Sequence, residues 1–111
     1  MNYDELKEYA AASLKFDWMS LLDFVVAAQD GLNDDVDPAE VLRIAGANAA
    51  RLVRDGLIVP GDTKAGFHPW PTSREESAAR IEAEAGEAAV SGAELYPGDI
   101  AWFASPDQTA P

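Results

Sequence analysis

The stretch DPAEVLRIAGANAARLVRDGLIVPG, residues 37–61, carries a helix with both of its ends written out. Asp37 is placed to cap the first free amides. Pro38 takes the first helical position, where a missing N–H costs nothing, and Glu40 stands where it can close a capping box. Arg51 and Arg54 fall in the last turns, where cations suit the helix dipole. Gly56 fits the left-handed residue that ends a helix. Val41, Ile44, Ala45, Leu52 and Val53 share the inward face, and Glu40, Arg43, Ala47, Arg51 and Arg54 share the opposite one. Leu57, Ile58 and Val59 then read as a short strand, stopped by Pro60-Gly61-Asp62.

Upstream, residues 4–14 read as a first helix, with Leu6, Tyr9, Ala10 and Leu14 near one face. Asp17 is a candidate cap for a second helix from Trp18 to about Gln29, whose apolar arc includes Trp18, Leu21, Leu22, Val25 and Val26. Ser20, Asp23, Ala27 and Asp30 lie on its other side. Gly31 stops that helix, and Asn33-Asp34-Asp35 follows as a polar loop. Downstream, TKAGFHPWPT (63–72) holds too many prolines and glycines for a regular element. Ser73 and Glu76 form a second capping-box pair, and the helix they open runs to about Ala89 on a stripe of Ala78, Ile81, Ala85 and Ala88. Ser91-Gly92 ends it. Tyr96-Pro97-Gly98-Asp99 is a turn before an apolar strand, 100–103. The fold class expected is α+β and mostly helical. About four helices pack around Trp18, Leu21, Leu22, Val25, Val41, Ile44, Leu52, Val53 and Ile81. A two-stranded antiparallel sheet joins 57–59 to 100–103. One domain covers 1–104, and 105–111 is expected to be a flexible tail.

Of 111 residues, 20 are acidic and 8 basic, for a net charge of −12. The excess is uneven. Residues 1–36 hold eight acids against two lysines, residues 37–66 four against four, and residues 67–111 eight against two arginines. Such a charge repels nucleic-acid phosphates and anionic membranes, and it speeds encounter with a basic partner. The chain has no cysteine, which excludes disulfides and thiolate zinc sites. It has no apolar run near the ~20 residues a membrane span needs. The acidic start MNYDELKEY resembles neither a secretory signal nor a transit peptide, so the cytoplasm is the expected location.

Chemistry-bearing residues are sparse. His68, the one histidine, sits between Phe67 and Pro69 with no nucleophile or oriented carboxylate implied beside it, a setting that favours a structural role. Asn33, Asp34, Asp35 and Asp37 superficially suggest a calcium loop, but the required glycine and closing glutamate are missing. Trp70 and Trp102 fit a ligand pocket or the core. No enzyme, metal or cofactor is expected from these residues. The acids Asp30, Asp34, Asp35, Glu82, Glu84 and Glu87 are the candidate contacts for a basic protein partner. Arg43, Arg51 and Arg54 lie within about 80° of one another at ~100° per residue, so they are the candidate nucleic-acid contacts.

The segments RLVRDGLIVPGD, GFHPWPTSREESAARI and YPGDIAWF together resemble small bacterial proteins of unassigned function. The resemblance spans about residues 17–104. It implies a winged-helix-like fold with a helix inserted before the last strand, the GDIxWF strand near the C-terminus. Helix, glycine, Leu-Ile-Val and turn would then be a third helix running into its wing. Small acidic proteins of this kind are similar in character to immunity proteins and antitoxins, which cap a basic toxin. The expected function is therefore a non-enzymatic acidic protein-binding module that inhibits a basic partner. The alternative is a winged-helix transcription regulator that binds DNA as a homodimer.

Overall fold

Helix α1 (Tyr3–Leu14) opens the chain in a computed structural model that describes residues 2–30, 32, 35–92 and 94–109. Asn2 caps it. Its side chain accepts from the Glu5 amide at 2.8 Å, and the Glu5 carboxylate accepts from the Asn2 amide at 3.1 Å, a complete capping box. Leu6, Ala10 and Leu14, each one turn apart, form the buried stripe.

The second helix starts later than its sequence suggests. Asp17 accepts from the Trp18 amide at 2.8 Å and caps no helix. Met19 and Ser20 form strand β1 (Met19–Ser20), paired antiparallel with Phe103 and Trp102. Helix α2 (Leu21–Asp30) begins only there, with the Asp23 carboxylate accepting from the Ser20 amide at 2.8 Å. This start moves the helical faces. Leu21, Phe24 and Ala27 are buried, while Val26, expected on the apolar arc, stands 59% exposed.

Helix α3 (Pro38–Arg54) has the expected ends. Asp37 caps it through the Ala39 amide at 3.0 Å, while Glu40, expected to close a box, lies 3.8 Å from Arg43. At the far end Gly56 takes φ 74°. The Gly56 amide donates to the Val53 carbonyl (3.0 Å) and the Leu57 amide to the Leu52 carbonyl (2.9 Å), the paired bonds of a Schellman motif. Those bonds explain why the strand does not begin at 57. The Leu57 amide is already used to close the helix, and β2 (Val59–Thr63) starts two residues on.

Strand β2 runs through the Pro60-Gly61 pair that was expected to stop it, and it turns back into β3 (Phe67–Pro69) within the segment expected to be irregular. Pro60 survives in the strand because the β2–β3 ladder starts at Gly61, while its carbonyl accepts from the Trp70 amide at 3.0 Å. Gly61 is needed for the hairpin to close, since a Cβ there would lie 2.6 Å from the Phe67 ring. Helix α4 (Arg74–Ser91) follows, capped by Ser73 through the Glu76 amide at 3.1 Å and ended by Gly92 at φ 69°. It is inserted before the last strand, β4 (Trp102–Ala104).

The turn Tyr96–Asp99 forms as expected, with the Asp99 amide donating to the Tyr96 carbonyl at 3.0 Å. Ile100 is then the centre of a three-residue turn, at φ 72° with the Ala101 amide bonded to the Asp99 carbonyl at 2.9 Å. A residue in that conformation cannot belong to a ladder, so β4 begins at Trp102 and not at Ile100. β4 pairs antiparallel with β2, the partner expected, at Val59↔Ala104, Pro60↔Phe103 and Gly61↔Trp102. The sheet holds four strands and not two, in the order β1-β4-β2-β3. Residues 106–109 of the expected flexible tail form a single helical turn, α5 (Pro106–Thr109).

The fold is thus α+β and mostly helical, with four long helices around a small antiparallel sheet. Phe24 and Phe103 meet edge to face at 5.4 Å in the core, beside Met19, Leu21, Leu52, Val53, Ile58 and Ile81. Trp18, Leu22, Val25 and Ile44 are only half-buried, and the expected core omitted Phe24 and Phe103. Helices α3 and α4 run antiparallel. Arg54 reaches Glu75 and Glu82, Gly46 faces Ala85, and Leu42 lies beside Ala89. A Cβ on Gly46 would come 2.6 Å from that of Ala85, so the two helices touch nearly backbone to backbone.

Candidate functional site

Five of the six candidate acids lie among the described residues, and the structure separates them. Glu82 and Glu84 are two residues apart on α4, so at ~100° per residue they leave opposite sides of the helix. Both are already partnered: Glu82 lies 2.6 Å from Arg54, and Glu84 lies 2.7 Å from Arg80 one turn away. Asp34 lies outside the described residues. Asp30 ends α2, Asp35 precedes α3, and Glu87 is near the end of α4. All three are exposed, and none has an ion pair with a described cation. Asp35 and Glu87 share one end of the molecule, because the last turn of α4 lies beside the first turn of α3. Asp37, Pro38, Ala88 and Gly92 line a common groove there.

The three candidate arginines are exposed on one face of α3, as their spacing implies, but each is engaged within the chain. Arg43 pairs loosely with Glu40 at 3.8 Å. Arg54 holds Glu75 at 2.9 Å and Glu82 at 2.6 Å. Its hydrogen bonds to the Glu75 and then the Glu82 carboxylate raise its pKa above the ordinary value. Arg51 stacks over the Tyr3 ring, 3.6 Å from its centre, and Lys7 approaches the same ring at 5.3 Å. The Tyr3 hydroxyl donates to Asp55, tying the start of α1 to the end of α3. Burial, then the Asp55 carboxylate, push the Tyr3 hydroxyl up to about 12.

His68 is exposed, opposite Asp62 in the β2–β3 ladder. Its Nε2 lies 2.7 Å from the Lys64 carbonyl. A carbonyl only accepts, so Nε2 carries the proton in that bond and the ring fastens the hairpin. Trp70 belongs to the core and also forms one wall of a half-closed cavity of about 130 Å³. Arg80 covers its ring at 3.8 Å, and the buried Trp70 Nε1 has no hydrogen-bond partner among the described residues. In the same cavity the Thr72 and Ser77 hydroxyls bond to each other at 2.6 Å, and Val53, Ile58, Val59 and Pro106 complete the wall. Arg74 is the one titratable side chain of that lining. Trp102 is half-buried, with its indole over Gly98.

Two features were not singled out from the sequence. Phe16 is 92% exposed just after α1, and Val90 is 81% exposed near the end of α4. Val90 sits off the inward stripe of α4, a signal the helical spacing did contain. Among the described residues no His, Asp and Glu side chains converge as a metal cage, and no helix is long and apolar enough to cross a membrane. Compared with known proteins, the chain matches no protein family, no curated protein and no solved structure.

Proposed function

We propose that this chain is a non-enzymatic protein-binding module of the cytoplasm, an immunity- or antitoxin-like inhibitor that caps a basic partner. One observation carries the reading. Arg51 and Arg54 on the α3 face are drawn into close contacts within the chain, while Asp30, Asp35 and Glu87 stand exposed with no ion pair to a described cation. A surface so divided attracts a basic protein and steers its approach. Capture of partners on the immobilised protein from its host tests the proposal. The reading expects a basic protein whose association rate falls steeply with salt, and whose capture is lost in the double variant D30K/D35K. Capture indifferent to that variant sinks the proposal.

A DNA-binding regulator is the second reading, favoured by the β2–β3 hairpin that follows α3 directly. It needs Arg43, Arg51 and Arg54 to leave their present partners for phosphates. Each arginine lost from such a contact lowers the salt slope of binding by about one. A gel shift at low salt that disappears in R51A and R54A supports it, and no shift at any salt removes it.

A further inference from the structure

An open groove of about 560 Å³ runs between α3 and α4, away from the sheet. Arg43 stands on its α3 wall, and Ala83, Gly86, Glu87, Val90 and Ser91 form the α4 wall. The lining is mostly apolar. Val90 is 81% exposed, and nothing lies within 4 Å of where a Cβ on Gly86 would be. Small residues on this wall leave room for another helix to approach closely. The groove's charges sit one on each wall, Arg43 facing Glu87.

We infer that this groove is the contact between two copies of the chain, related by a two-fold axis through its middle. A two-fold axis that runs along the groove exchanges the walls, so each Arg43 meets the partner's Glu87 and both Val90 side chains leave water together. The charge pattern is complementary to its own image, which a uniformly basic or acidic partner would not match. Both charges are available. Arg43 holds Glu40 only at 3.8 Å, with the two side chains 48% and 56% exposed, and Glu87 has no ion pair with a described cation. Exposed pairs of that kind are worth little and are readily exchanged.

The same charge predicts an uncommon salt dependence. Two copies at −12 repel at long range, and salt screens that repulsion. The dimer therefore tightens as salt is added, whereas a complex with a basic partner loosens. Sedimentation velocity of the full chain, over a range of concentration and salt, tests this. The wild type should form a reversible dimer that strengthens with salt. R43E and E87R should each weaken it by on the order of tenfold or more, since like charges then face each other twice. The double variant R43E/E87R should recover it, and V90D should weaken it. All these positions are exposed, and circular dichroism checks each fold, with A83R as the substitute for any variant that does not fold. A monomer under every condition overturns the inference. So does a dimer indifferent to V90D and both single reversals, or a double variant no better than the singles.

Discussion

Gly46 sets how closely α3 and α4 approach, because its missing side chain is where Ala85 sits. G46V should destabilise the protein by about 1–3 kcal/mol through overpacking. Gly86, on the same helix pair, has open space where its Cβ would be. G86A should stabilise by about 0.5–1 kcal/mol, the ordinary gain of alanine over glycine inside a helix. Urea melts of both variants in dilute solution check the opposite signs, and equal effects would refute the close packing. Neither difference is readable in the sequence, where both are single glycines in helical patterns. Tyr3 gives a second test. Its pKa is raised from the ordinary 10.0 to about 12, so the folded state favours the protonated hydroxyl. That contribution is complete below pH 10 and is lost as pH rises towards 12. Y3F should be less stable by ~0.5–1.5 kcal/mol below pH 10, the worth of the Asp55 bond. The gap to wild type should close near pH 12. A gap that persists there contradicts the raised pKa.

At the scale of elements, the ends of α3 and α4 were legible because capping is local chemistry. Asp37, Gly56, Ser73 and Gly92 each act on atoms within a few residues. S73A should therefore cost about 1 kcal/mol, seen as a lower denaturation midpoint with an unchanged slope. A midpoint that does not move would mean the Glu76 amide finds another acceptor. The strands were legible only in part. Leu57-Ile58-Val59 has the composition of a strand, but the Schellman closure uses the Leu57 amide, and the ladder slides to Val59–Thr63. β1 was not legible at all. Met19 and Ser20 are held extended by Phe103 and Trp102, at the far end of the chain, and no periodicity within a short window reports such a partner.

The whole molecule carries a net charge of −12, and repulsion among its acids opposes folding. Between about 0.01 M and 0.1 M salt the screening length falls from ~30 Å to ~10 Å. The melting temperature should rise over that interval, and a fall would show that the internal arginine pairs outweigh the repulsion. The sequence by itself determined the helical content, the ends of α3 and α4, the antiparallel pairing of the strand after α3 with the last strand, though not its register, and the sign of the surface. Each of these follows from local hydrogen-bonding chemistry, apolar patterning or a sum over residues. Only the tertiary structure decided which charges remain available. Arg54 and Glu82 lie 28 residues apart, yet they meet because α3 and α4 pack antiparallel across Gly46 and Ala85. Five acids that look alike along the chain thus divide, with Glu82 and Glu84 neutralised by arginines and Asp30, Asp35 and Glu87 left facing solvent. Charge counts add along a chain, but pairing depends on which helix faces are brought within a few ångströms.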